Sequence, residues 1–171
     1  RRRIRMYPHD FGDSSFLISL EIEELAEAAE ACRRLLTQGQ FRGIFSAEFK
    51  QDPRDERFKL IEVNARPWAY VQFAQSCGFN APAMAYRDAL GIPQETPAPN
   101  RAGARFQILP NDLKAARDYQ RRGELGVWSW IRQSWGAESA IFKVGDPLPA
   151  VTQWGSTLGN QIRKVLSRGS R

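Results

Sequence analysis

Residues 43–68 read GIFSAEFKQDPRDERFKLIEVNARPW, in which two runs rich in β-branched and aromatic residues flank a short polar stretch. That polar stretch, DPRD at residues 52–55, has the composition of a turn. The sequence therefore predicts an antiparallel hairpin with strands at residues 43–50 and 58–66. Pro67 ends the second strand, because proline cannot donate a hydrogen bond to a ladder.

The polar side chains of this hairpin are predicted to meet on one face. Side chains alternate along a strand, so Glu62, Asn64 and Arg66 share a face of the second strand, together with Leu60. With the turn centred near residue 55, Glu48 lies directly opposite Glu62. Opposed carboxylates repel unless a cation lies between them, and Mg²⁺ prefers carboxylate oxygens combined with substrate phosphates. The alternative is a solvated face on which Lys50 and Arg66 neutralise the carboxylates.

The rest of the chain predicts helices and further strands around this hairpin. Apolar residues recur at helical spacing over residues 20–38, and shorter helices are predicted at 68–77, 82–90 and 112–122. Strands are predicted at 1–6, 105–109 and 140–144, a loop at 11–15 and a closing helix at 152–166. We expect an α+β (α/β) fold with a mainly antiparallel sheet flanked by helices, in which Cys32 is a core residue rather than a nucleophile.

The positive charge lies at the two ends of the chain. The 171 residues include 25 Lys and Arg against 19 Asp and Glu, a formal charge of +6. Eight of the basic residues lie at positions 1–5 and 163–171, which leaves 17 against 19 acids and a charge of −2 for the body. The ends could be basic arms on nucleic acid, but a solvated edge strand and a frayed terminal helix are the favoured interpretation. No apolar run is long enough to span a membrane, and two separated cysteines favour a cytoplasmic protein.

Several motifs together resemble one known family. They are GIFSAEFKQD at residues 43–52, FKLIEVNARPW at 58–68 and YRDALG at 86–91, preceded by RMYP at 5–8 and GDSS at 12–15. This set resembles the carboxyl-terminal half of the ATP-grasp domain, in particular the carbamoyl-phosphate-synthase-like and carboligase branches. The resemblance covers residues 1–91. It implies the carboxyl-terminal half of an ATP-grasp domain at 1–91, a linker at 92–104 and a carboxyl-terminal extension at 105–171.

The resemblance also implies a set of site residues. In the family, two acidic residues and an asparagine bind Mg²⁺ (or Mn²⁺) at the ATP phosphates, and these positions are Glu48, Glu62 and Asn64 here. The arginine two positions after the asparagine, Arg66, contacts the transferred phosphate. The implied function is an ATP-dependent ligase that activates a small carboxylate as an acylphosphate for attack by an amine, thiol or other nucleophile.

The loop predicted at 11–15 would lie near the family's active site. Tyr7, Ser14 and Ser15 are therefore candidates for a substrate loop, although Asp13 and Ser14 could simply cap the local backbone of a turn. We expect the adenine-binding strands, the phosphate-binding lysines and the glycine-rich lid in sequence upstream of Arg1, so that this chain alone could be an inactive fragment. Two other functions remain open: a non-catalytic nucleotide-binding or interaction module, and a basic nucleic-acid-binding domain.

Overall fold

The computed structural model describes residues 1–9, 11–94, 100–140, 142 and 145–152. The strands and helices of these residues follow one another along the chain in mixed order. They are β1 (Arg2–Tyr7), β2 (Asp13–Ile18), a 3-10 helix (Glu23–Leu25), α1 (Ala26–Gln38), β3 (Ser46–Gln51), β4 (Phe58–Asn64), α2 (Val71–Ser76), α3 (Ala81–Ala89), β5 (Arg105–Gln107), α4 (Leu109–Arg121), α5 (Val127–Ser134) and β6 (Glu138–Ser139).

The strands form two sheets. One has the order β1-β2-β5-β6, in which β1 with β2 and β2 with β5 are antiparallel and β5 with β6 is parallel. The other is the antiparallel hairpin of β3 and β4. The predicted α+β class with mainly antiparallel pairing is confirmed.

Strand β1 changes register on β2, and this change directs its arginines to opposite faces. Arg3 pairs with Leu17, whereas Arg5 pairs with Phe16, so Ile4 is an extra residue on β1. Leu17 and Phe16 are consecutive and therefore point to opposite faces of the sheet. The bulge thus separates Arg3 from Arg5, although regular alternation would place them on the same face.

One face of the four-stranded sheet carries the apolar core. Leu17 and Phe106 are paired across β2 and β5, and each is 1% exposed. Helix α2 and its flanking residues cover them with Tyr70, Phe73 and Cys77. The rings of Phe73 and Phe106 stack with centroids 5.1 Å apart. Burial of these aromatic side chains supplies the main apolar contribution at this face.

The opposite face carries a buried polar network under α4. Asp112 is fully buried, and its carboxylate accepts two bonds from the guanidinium of Arg5, at 2.8 and 2.9 Å. The same carboxylate accepts from Ser15 Oγ at 3.0 Å, Gln107 Nε2 at 2.7 Å and Trp130 Nε1 at 2.8 Å. Five donors therefore satisfy this buried charge, as a carboxylate away from water requires.

The structure differs from three sequence-based expectations. The loop predicted at 11–15 is wrong from Asp13 onward, because Asp13–Ile18 forms β2 and is hydrogen-bonded between β1 and β5. The helix predicted at 20–38 begins as a 3-10 turn and becomes α-helical only at Ala26. The strand predicted at 140–144 lies largely outside the described residues, as does the closing helix except for Thr152, and β6 is at Glu138–Ser139.

No helix within the described ranges combines the length and the apolar character needed to cross a bilayer.

Candidate functional site

The hairpin of β3 and β4 brings the two predicted carboxylates together. Ser46 pairs with Asn64 and Glu48 pairs with Glu62 in the antiparallel register. The register predicted from the position of the turn is therefore confirmed. Paired side chains share a face with Cβ atoms roughly 5 Å apart, so Glu48 and Glu62 are neighbours.

The turn that sets this register is held by its own polar groups. The backbone N–H of Glu56 donates to the carbonyl of Asp52 at 2.8 Å, and the N–H of Asp52 donates to the carbonyl of Arg57 at 2.9 Å. The side chain and backbone N–H of Arg54 both bind the Asp52 carboxylate and lower its pKa to about 2. The turn is thus specified locally, as its sequence predicts.

A bulge follows the carboxylate pair. Glu48 pairs with Glu62, but the next residue, Phe49, pairs with Leu60, so Ile61 is an extra residue on β4. Leu60 consequently belongs with Phe49 and not with the face that carries Glu62. Bulges are common beside active sites, where they redirect side chains.

Arg66 lies outside the strand ladder. Strand β4 ends at Asn64, and the exposed guanidinium of Arg66 donates to the carbonyl of Pro67 at 3.3 Å. Strand alternation therefore does not determine its direction, and the predicted common face extends only over Glu62 and Asn64. The role of Arg66 at a phosphate stays a prediction.

Each of the two carboxylates has a different neighbour. Glu62 is exposed and accepts a hydrogen bond from Asn64 Nδ2 at 2.7 Å. Glu48 forms an ion pair with Arg3 of β1, whose side chain is 38% exposed against 26% for Glu48. The repulsion between the carboxylates is thereby reduced on the Glu48 side, and neither acid is sealed from solvent.

The donor set at this hairpin fits a hard divalent cation bound together with a ligand. It offers two carboxylates and one amide, all of which can supply oxygen atoms to Mg²⁺ or Mn²⁺. Within the described ranges, no three or more His, Cys, Asp or Glu residues cluster as a metal site. Two acids are too few to enclose a metal ion completely. Such an open site is expected for Mg²⁺, because phosphates and water complete its coordination.

The sequence did not predict that the N-terminal arginines contribute to this site. Arg3 reaches Glu48 across 45 positions of sequence, and Arg1 Nη2 donates to Ser46 Oγ at 3.4 Å. The Arg1 guanidinium also lies 5.8 Å from the ring centroid of Trp68 and 5.7 Å from that of Tyr70. The N-terminal arginine cluster was a visible signal, but nothing in the spacing linked it to the hairpin.

A groove of about 1330 Å³ opens beside Glu48, between α1, β1 and the hairpin. Its wall includes Arg3, Glu48 and the apolar stripe of α1, to which Cys32 belongs. Burial raises the pKa of the Cys32 thiol, which agrees with the prediction that this cysteine is not a nucleophile. The groove gives a ligand access to Glu48.

The three substrate-loop candidates do not form a loop. Tyr7 is the last residue of β1, and both Ser14 and Ser15 are buried in β2. Ser15 is committed to Asp112 on the network face, while the backbone N–H of Ser14 donates to the Tyr70 hydroxyl at 3.1 Å. Pairing with β1 has converted the turn-like sequence into strand, and a substrate role for these residues stays a prediction.

Comparison with known proteins gives one family match. The model of a family described as ATP-grasp in the biosynthetic pathway with Ter operon matches residues 12–111, which is more than half of the chain. Neither the curated proteins nor the solved structures gave a match. The matched range contains the whole β3–β4 hairpin and its carboxylate pair. The chain belongs to the ATP-grasp family.

Proposed function

We propose that this chain is the metal- and phosphate-binding part of an ATP-dependent ligase that activates a carboxylate as an acylphosphate. The observation that carries the proposal is the register of the hairpin, which sets Glu48 opposite Glu62 with Asn64 on the same face, in a chain of the ATP-grasp family. Glu48, Glu62 and Asn64 would hold Mg²⁺ or Mn²⁺, which neutralises the charge of the ATP phosphates when it is bound.

The proposed reaction has two steps. A carboxylate oxygen of the substrate attacks the terminal phosphorus of ATP, and the bond between that phosphorus and the ADP oxygen breaks. An amine, thiol or other nucleophile then attacks the acyl carbon, and inorganic phosphate leaves. Arg66, beyond the end of β4, would donate to the oxygens of the transferred phosphate, where its planar guanidinium can form two parallel bonds.

The positions of the N-terminal arginines count against the nucleic-acid alternative. Arg2, Arg3 and Arg5 each form an ion pair with a carboxylate, of Glu24, Glu48 and Asp112 respectively. Arg5 in particular is buried with Asp112, out of reach of a phosphate backbone. A nucleic-acid-binding domain also predicts affinity that falls steeply with salt, whereas a metal–nucleotide site predicts dependence on Mg²⁺.

The test is nucleotide binding by the full chain with one carboxylate neutralised. Glu62→Gln keeps the size of the side chain but removes one anionic metal ligand, so we expect Mg²⁺-dependent ATP affinity to fall at least tenfold. Isothermal titration calorimetry measures the affinity, and Glu56→Gln, an exposed acid in the turn of the same hairpin, is the matched control. Unchanged affinity in Glu62→Gln would show that the site is assigned to the wrong residues.

The non-catalytic alternative makes the same binding prediction and differs in turnover. A chain that binds Mg²⁺ and ATP through Glu62 and forms no ADP with any added carboxylate and nucleophile would be a nucleotide-binding module. ADP formation that depends on an added carboxylate supports the ligase.

A further inference from the structure

The ion pair between Arg3 and Glu48 engages Oε1 of Glu48, one of the carboxylate oxygen atoms that the proposed metal site would use. Arg3 extends from β1 and Glu48 from β3, and both side chains line the groove. Arg3 lies outside the range of the family match, which starts at residue 12. The contact therefore comes from the packing of β1 against the hairpin and not from the matched motif.

This ion pair can exchange its partners. Both side chains are partly exposed to solvent, in contrast to the sealed pair of Arg5 and Asp112. Exposed pairs contribute little to stability, so a divalent cation that engages Glu48 together with Glu62 displaces the guanidinium at small cost.

Among the described residues that line the groove, the carboxylate other than Glu48 already has an arginine neighbour. The acidic residues that line the groove are Glu24 and Glu48, and Glu24 lies 3.7 Å from Arg2. The other charged residues of the lining are cationic: Arg1, Arg33, Arg42 and Lys50. An anionic ligand would therefore compensate the released guanidinium, and the groove is open to receive one.

We propose that Arg3 is an exchangeable anion-binding residue, held by Glu48 in the metal-free chain and released to bind a ligand carboxylate or phosphate when a divalent cation occupies Glu48 and Glu62. The inference rests on the proposed function, since it needs a cation at the carboxylate pair. It adds a specific ligand-binding role for Arg3. The anion that Arg3 binds presents negatively charged oxygen atoms. It is either the substrate carboxylate or a phosphate of the nucleotide.

The first measurement is Mn²⁺ binding to the full chain without nucleotide. The electron paramagnetic resonance signal of free Mn²⁺ reports how much of the metal is bound. Arg3→Gln removes the competitor for Glu48, so Mn²⁺ affinity should rise about two- to fivefold, the equivalent of a weak surface ion pair. Arg2→Gln is the matched control, because Arg2 precedes Arg3 on β1 and pairs with Glu24. It should leave Mn²⁺ affinity unchanged.

The second measurement is anion binding at saturating Mn²⁺, with inorganic phosphate in one arm and acetate in the other. Arg3→Gln should weaken one of them by about tenfold, since a charge-assisted hydrogen bond is lost. The affected arm identifies the source of the anion. Arg3→Lys, which keeps the charge, should recover most of the binding. Tighter Mn²⁺ binding with weaker anion binding is a pair of opposite effects that a general structural defect does not produce.

Two results would overturn the inference while the proposed function stands: Mn²⁺ affinity that is unchanged or lower in Arg3→Gln, or anion binding that is unchanged in both arms. Failure of the proposed function is distinguishable, because the wild-type chain would then bind Mn²⁺ no better than Glu62→Gln.

Discussion

Arg3 and Arg5 lie two residues apart on β1, and each meets a carboxylate on a different face of the sheet. Arg5 is 1% exposed and donates two bonds to Asp112, which accepts three further bonds from other side chains. Arg3 is 38% exposed at its side chain and pairs with Glu48. The same residue type on one strand thus forms a sealed structural pair and an accessible one.

Burial, and not the pairing itself, determines how much an arginine contributes to the stability of the fold. Removing one partner of a buried pair leaves an uncompensated charge and is strongly destabilising, whereas an exposed pair is exchanged for water at little cost. The network under α4 therefore suits a permanent architectural role. The pair at the hairpin suits a site whose partners change when ligands bind.

The largest expected effect separates the two arginines by stability. Arg5→Met should lower the free energy of unfolding by about 3–5 kcal/mol, because Asp112 stays buried without its cation. Arg3→Met should lower it by no more than about 1 kcal/mol. Urea unfolding of both variants, followed by circular dichroism, measures the difference. Similar losses for the two variants would mean that burial does not distinguish the two pairs.

A smaller effect tests the network through its outer donor. Trp130→Phe removes the indole N–H that donates to Asp112 at 2.8 Å, and should cost about 2 kcal/mol as a lost bond to a charged acceptor. Trp128 lies on the same helix and is 82% exposed, so Trp128→Phe should change stability by less than about 0.5 kcal/mol. The same urea titration compares the two variants. An equal loss of unfolding free energy in both would show that the hydrogen bond from Trp130 to Asp112 does not contribute to stability.

The smallest effect concerns the partly buried Asp52 carboxylate of the hairpin turn. Arg54 lowers the pKa of Asp52 to about 2, so the stabilisation from this pair is fully present above the unfolded pKa of about 3.9 and is lost as the pH falls towards 2. Carboxyl carbon shifts in an NMR titration should show the midpoint of Asp52 near 2. In Arg54→Ala the midpoint should return towards the unfolded value, and its failure to move would assign the shift to another group.

The hairpin was predictable because its determinants are local. Residues 52–55 specify a turn, alternation assigns faces on either side of it, and the two together place Glu48 opposite Glu62. Alternation failed where the ladder is irregular. The bulge at Ile61 separates Leu60 from the face of Glu62, and the end of β4 at Asn64 leaves Arg66 outside the ladder.

The N-terminal third was harder to predict because its structure depends on distant partners. The turn-like residues 12–15 favour a loop locally, yet β1 and β5 pair with Asp13–Ile18 from either side. Backbone hydrogen bonds to both neighbouring strands outweigh the weak local preference for a turn.

The amino-acid sequence by itself determined the hairpin, its carboxylate pair and the ATP-grasp family, since all three depend on residues within a few positions of each other or on a contiguous motif. Only the tertiary structure decided which arginines meet which acids. Arg3 reaches Glu48 across 45 positions and Arg5 reaches Asp112 across 107, and a single extra residue in β1 sends them to opposite faces. Such contacts depend on how strands and helices pack, because a bulge reverses the alternation on which sequence reasoning relies.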